Sequence, residues 1–170
     1  MEARNELASE AMTVSEAELS EAFRLIASNV AVITTSGPHG CTGTAWAEDP
    51  RSPFVVTPLN RSGTTRQIVV QTGRFAANLL AANQADVARR FAKRGDRFDA
   101  LAYSLGSLDL PLVDGAAVAI ECELESSFEF GTYDLLVGRV QSVKRGPSIG
   151  VLTWCDRSFG THAPMERRRA

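Results

Sequence analysis

A chain of 170 residues with 18 Lys+Arg against 20 Asp+Glu has room for one domain of ordinary size and excludes a second large one. Hydrophobic residues make up 44%, enough to build a core without staples, which excludes disorder except at the ends. A net charge of −2 gives no general attraction to nucleic acid or anionic lipid, so neither is expected as a partner. Cys41, Cys122 and Cys155 are odd in number and widely spaced; they fit neither a disulfide framework nor a paired metal motif and read as reduced thiols of a cytoplasmic protein. Residues 1–20 carry Glu2, Glu6, Glu10, Glu16 and Glu18 and lack the form of a signal peptide. No apolar run is long enough to span a membrane.

In chain order, residues 1–12 read as a loose arm, 13–160 as one domain and 161–170 as a polar tail. Thr13 with Glu16 matches a capping box, and Leu19, Ala22, Phe23 and Ile26 share a face, which predicts a helix to about Ser28. The β-branched run Asn29 to Thr35, the turn Gly37-Pro38-His39-Gly40 and the extended run Cys41 to Ala47 predict a hairpin, and Phe54 to Leu59 a further strand. Ser62 is expected to cap a helix from Gly63 to Thr72 that stops at Gly73. Phe75 to Leu80 then reads as a strand. Asn83 is expected to cap a helix ending at Gly95, with Val87, Ala88 and Phe91 on one face and Arg89, Arg90, Lys93 and Arg94 on the other.

Val118, Ile120, Cys122 and Leu124 alternate with Ala119, Glu121, Glu123 and Glu125, the period of a strand with one wet face. Tyr133 to Val143 continues the pattern, and Val151 to Trp154 reads as the last strand. Six or seven strands with short links and few helices predict a mainly β fold, a closed antiparallel barrel with peripheral helices.

Common catalytic signatures are absent. Neither the glycine-rich dinucleotide motif nor the P-loop occurs. Gly146-Pro147-Ser148-Ile149-Gly150 has the letters of a hydrolase elbow but precedes a strand pattern rather than a helix, so it reads as a turn. Asn60-Arg61-Ser62 spells a glycosylation sequon without a secretory context. His39 and His162 make no recognisable metal spacing with the cysteines, and no metal is expected.

Four segments, NVAVITT (29–35), GCTGTAW (40–46), LNRSGTTRQI (59–68) and FAANLL (75–80), resemble in order and spacing the flavin reductases of two-component flavin-dependent monooxygenases. RRFAKRGDRF (89–98), IECEL (120–124), GTYDLLVGRV (131–140) and DRSFG (156–160) extend the resemblance to nearly the whole chain. It implies a split antiparallel β-barrel, a homodimer with flavin near the subunit interface, and reduction of FMN or FAD by NADH or NADPH. The reduced flavin would then diffuse to a partner oxygenase. Hydride transfer from nicotinamide to flavin demands stacking and orientation more than an acid or base.

By position, the resemblance places Thr42, Thr44, Ala45, Trp46 and Ala47 along the isoalloxazine, and Asn60, Ser62, Thr65 and Arg66 on the flavin phosphate. The same letters also describe a plain buried strand and a capped surface helix. Asn78 interrupts an apolar strand, its amide satisfied by flavin or by backbone. Arg94, Arg97 and Phe98 resemble a basic and aromatic segment near the cofactor; a solvated helix end fits them too. Two positions depart from the family. Glu48-Asp49-Pro50-Arg51-Ser52-Pro53 replaces a serine-rich stretch, adding carboxylates that repel phosphate. Tyr133 stands where the family carries a histidine facing the nicotinamide; a tyrosine can stack and donate a hydrogen bond but lacks the imidazole of histidine, and Tyr133 is the candidate catalytic residue. These departures leave two other functions open: a non-redox enzyme on the same barrel, such as a biosynthetic cyclase, and a flavin-binding module without turnover.

Overall fold

The computed structural model describes residues 14–47, 49–93, 95, 97–147 and 150–163. The expected arm 1–12, Thr13, Glu48, Arg94, positions 148 and 149 of the Gly146–Gly150 turn, and 164–170 of the tail lie outside the described residues.

Among the described residues, three helices and eleven strands follow in the order α1 (Glu16–Phe23), β1 (Ser28–Asn29), β2 (Ala31–Thr35), β3 (His39–Gly43), β4 (Phe54–Asn60), α2 (Thr64–Thr72), β5 (Arg74–Leu79), α3 (Ala85–Ala92), β6 (Tyr103–Leu105), β7 (Pro111–Val113), β8 (Val118–Phe130), β9 (Tyr133–Arg145), β10 (Leu152–Cys155) and β11 (Ser158–Thr161). Six strands form one antiparallel sheet in the order β3-β2-β5-β8-β9-β4. The two edges of that sheet meet where Trp46, just past β3, bridges Val56 on β4, so the sheet curls upon itself. This is the expected mainly β split barrel. A three-stranded sheet, β1-β10-β11, and the β6-β7 hairpin pack outside it.

Inside the curl lie Ala31, Ile33, Val55, Leu59, Phe75, Ala77, Cys122 and Leu136, with Val69 of α2 packed among them. Gly138 is required there, because a Cβ would stand 2.5 Å from the Phe75 ring and 2.6 Å from the Cys122 Cβ. α3 buries Ala88 and Phe91 against Val30, Val32, Leu80 and Leu152, the apolar face its sequence predicts, with Val87 partly buried beside them. Gly73 ends α2 in the left-handed conformation, φ 71°, as expected of a glycine stop.

Several local expectations need correction. The first helix is capped by Ser15, whose side chain accepts from the Glu18 N–H while Glu18 returns the bond, and it ends at Phe23. None of its residues is buried; Phe23, Leu25 and Ile26 are exposed. α2 is capped by Gly63 without a side-chain bond, because the Ser62 hydroxyl turns back to donate to Asn60 Oδ1 at 2.7 Å. Gln84, not Asn83, precedes α3, and its side chain binds Ala81 N–H and the Asp114 carbonyl instead. The predicted wet face of β8 is covered at its start. The ladder with β9 shifts register between Glu121 and Cys122; Cys122 joins the barrel core, whereas Glu121 is buried on the other face beneath Ser107 and Leu108, where β7 with its preceding loop also lays Leu110 and Leu112 over Ala119. Strands β6, β7 and β11 lack a sequence prediction.

Candidate active site

On one side of the curl, β3 brings Thr42 and Gly43, the chain after it Thr44, β4 Pro58, and the start of β9 Tyr133. The lining is completed by Ala88, Arg89 and Ala92 of α3, and by Trp154, Arg157 and Phe159 of the β10-β11 hairpin. They enclose a cavity of about 860 Å³, the size of a site for a substantial organic molecule. Thr42, Pro58 and Tyr133 also border a second chamber of about 250 Å³, completed by Cys41, Asn60, the first turn of α2 from Gly63 to Arg66, and Arg97. An outer cleft of about 620 Å³ lies between Asn60, Arg61, Ser62, Arg66, Gly131 and Thr132.

The walls of the large cavity are held by the fold. The Thr42 hydroxyl donates to the Ala88 carbonyl at 2.6 Å, tying β3 to α3. Asn29 clamps the chain beyond β3: its Oδ1 accepts from the Thr44 hydroxyl and the Ala45 N–H, both at 3.1 Å, and its Nδ2 donates to the Ala45 carbonyl at 2.7 Å. Trp154 and Phe159 meet edge to face at 4.8 Å, with the Arg89 guanidinium 5.1 Å from the Phe159 ring centre. The β10-β11 turn is made by Asp156 and Arg157, both in left-handed backbone (φ 49° and 57°), the conformation a tight hairpin requires. Among the described residues this cavity is lined by no carboxylate, imidazole or thiol. It offers aromatic faces, backbone, hydroxyls and cations.

The small chamber is cationic. The start of α2, whose Gly63 cap has no side chain to bond it, brings its unpaired backbone N–H groups there, a natural anion site. Arg97 is fixed by donating to the carbonyls of Lys93 and Gly40, each at 2.5 Å. Arg66 is held by Asp134 on β9 through both Nε and Nη2. Burial pushes the Cys41 thiol up against the opposing pull of the Thr65 hydroxyl and the Arg97 charge. Cys122, buried and beside Glu121, is pushed up to about 12. Neither is a thiolate at neutral pH, so neither acts as a nucleophile.

Of the sequence-derived candidates, the structure brings Thr42, Thr44 and Tyr133 to the large cavity, Asn60, Thr65, Arg66 and Arg97 to the small chamber, and Ser62 to the outer cleft. Ala45 is buried in the barrel core. Trp46 and Ala47 are exposed, Trp46 at 59%, and line neither of the two chambers nor the outer cleft. Asn78 is fully buried and spent on the fold: Nδ2 donates to the Val32 carbonyl and the Thr34 hydroxyl, and Oδ1 accepts from the Val113 N–H. Phe98 packs edge to face on Phe91 and Tyr103. Sequence reasoning missed Asn29, Pro58, Arg89, Trp154, Arg157 and Phe159 of the large cavity, and the Arg61–Asp134 pair beside the small one. Arg157, Phe159 and Asp134 do fall within segments that carry the resemblance, DRSFG and GTYDLLVGRV.

A curled antiparallel barrel whose apolar cavity ends among arginines is the architecture of a flavin-handling split barrel. Residues 23–163 match the model of the flavin reductase like domain, and the chain belongs to that family. It is similar to the FMN reductase (NADH) RutF of Stutzerimonas stutzeri, 34% identical over 148 residues that cover 82% of this chain and 84% of that protein. RutF of Klebsiella pneumoniae is 29% identical over 153 residues, 86% of this chain and 93% of that protein. Among solved structures, the Streptomyces globisporus NADH:FAD oxidoreductase SgcE6 in complex with NAD and FAD fragments aligns with a TM-score of 0.82 at 26% identity, over 91% of this chain and 98% of that one. BorF, the flavin reductase component of a bacterial two-component tryptophan halogenase, shares the fold at 24% identity with a TM-score of 0.80, over 89% of this chain and 100% of that one.

Proposed function

We propose that this chain is an NAD(P)H-dependent flavin reductase that reduces FMN or FAD and supplies it to a separate flavin-dependent oxygenase. The observation that carries the reading is the pair of neighbouring chambers meeting at Tyr133. One is large and aromatic-walled, without an acid, base or nucleophile; the other is small and cationic. That division matches a molecule with a flat ring system at one end and a phosphate at the other.

The residues fit the cofactor. Thr42, Gly43 and Thr44 present a wall of little bulk that a flat ring can approach closely, in a cavity that Trp154 and Phe159 also line. Asn60, Thr65, Arg66 and Arg97, together with the start of α2, hold the phosphate, and Ser62 fixes Asn60 from the outer side. When bound, the flavin and the reduced nicotinamide would supply the two-electron chemistry. The protein's part is to stack and orient both rings and to exclude water. Tyr133 serves there as an aromatic face between the two chambers.

Exposed Phe23, Ile26, Trp46, Phe128 and Phe130, each 58–69% exposed, support a homodimer in which such side chains are covered. The three free cysteines support a reducing, cytoplasmic setting. The test is oxidation of NADH or NADPH by the purified protein with added FMN or FAD. Saturable, enzyme-dependent turnover is expected; folded protein without turnover for any pair contradicts the proposal.

A further inference from the structure

Asp134 is fully buried on β9, opposite Leu59 of β4 and next to Tyr133. Its inward neighbours in the alternation of that strand are Leu136 and Gly138, so a carboxylate stands where the pattern calls for an apolar side chain. A buried charge persists only if it is paired. Here Oδ2 receives both Nε and Nη2 of Arg66, while Oδ1, which has no hydrogen bond, lies 3.5 Å from Nε of Arg61. Arg61 is drawn the other way by Glu129 at 2.7 Å. Arg66 is therefore the side chain Asp134 grips, and among the described arginines it alone borders both the small chamber and the outer cleft.

We infer that Asp134 is the positioning residue that gives this site its preference for phosphorylated flavins. With Nε and Nη2 taken by the carboxylate, Nη1 is the guanidinium nitrogen left for an anion. A four-torsion side chain on the first turn of a helix loses little further freedom on binding when it is already locked. The carboxylate also subtracts a charge, and by Coulomb's law alone its removal would tighten an anion. The two effects predict opposite signs. Orientation dominates, because the Arg66–Asp134 pair is buried on the carboxylate side and its geometry fixes two nitrogens at once.

This inference rests on the flavin reductase reading, and binding rather than turnover separates the two. Dissociation constants for FMN and for riboflavin, which lacks the phosphate, are measured by flavin fluorescence on the wild type and on Asp134→Asn. The wild type is expected to prefer FMN, and Asp134→Asn to weaken FMN by roughly tenfold with riboflavin unchanged. Arg66→Lys keeps the charge and the pair but not the two-nitrogen fork; it should lose the preference similarly, and it decides the matter if Asp134→Asn does not fold. An unchanged or tighter FMN affinity in Asp134→Asn, or full preference in Arg66→Lys, overturns the role of Asp134 while leaving the reductase reading intact. A wild type that binds FMN and riboflavin alike overturns the phosphate site and the inference together.

Discussion

Tyr133 is half-exposed at the first position of β9, opposite Asn60 on β4 and Phe130 on β8, and borders both chambers. Its ring faces the site without filling the core, so its removal acts on binding rather than on folding. Tyr133→Ala should lower kcat/KM for the reduced nicotinamide by about tenfold or more, roughly 1.4 kcal/mol, with no change in unfolding temperature. Tyr133→His restores an aromatic ring and should keep turnover. Equal kcat/KM in all three proteins would remove Tyr133 from the reaction. The sequence located this residue because it lies within a stretch that carries the resemblance. Asp134, its neighbour, escaped notice because a charged residue in a strand is ordinarily assigned to the wet face; only the buried phase of Leu136 and Gly138 hinted otherwise.

At the scale of elements, Glu121 shows why alternation misled. Its carboxylate, 1% exposed, accepts from the Ser107 N–H and hydroxyl, the Leu108 N–H and the Ser142 hydroxyl, pinning the β6-β7 connection onto β8 and β9. A Cβ on Gly106 would stand 2.4 Å from that carboxylate, so the loop passes directly over it. Nothing local in Val118 to Glu125 announces the cover, because it comes from residues 106–112, whose strands are short and lack a clear period.

Burial pushes the Glu121 carboxyl up, but the bonds from Ser142, Leu108 and Ser107 outweigh it and hold the group below the usual carboxylate range. A depressed folded pKa means the stabilisation is complete above the unfolded value and is lost as pH falls through the folded one. Glu121→Gln puts an amide donor among donors and should cost about 1–3 kcal/mol at neutral pH. It should also flatten the loss of stability on the acid side, as chemical denaturation at several pH values would register. A variant as stable as the wild type, with the same acid limb, would contradict the pin.

Other elements were legible for local reasons. The Ala88–Phe91 face of α3 follows helical spacing, and the stop at Gly73 follows backbone chemistry. β11 was not legible, because its hairpin turns on Asp156-Arg157 rather than on the Asn-Gly type that marks such turns.

For the whole molecule, the barrel was legible through the ordered resemblance of its segments, whereas the cavity was not. Its walls come from β1, β3, β4, α3, β9 and the last hairpin, distant in sequence and brought together by the curl. The apolar side chains of the α1 end, Phe23, Leu25 and Ile26, and of the β8 end, Phe128 and Phe130, are among the large hydrophobic groups that a single chain leaves exposed. Sedimentation analysis should find a dimer. Ile26→Lys with Phe130→Lys should shift it toward monomer, and a wild type monomeric at high concentration would contradict the proposed assembly.

In the proposed function, electrons pass from a reduced nicotinamide to a flavin in a cavity that contributes orientation rather than acid–base chemistry. The most direct measurement is the initial rate of NADH and of NADPH oxidation with FMN or FAD in excess, corrected for the reaction of free flavin without protein. Saturable turnover for at least one pair, proportional to protein concentration, is the predicted result. Folded protein that accelerates none of the four pairs would contradict it.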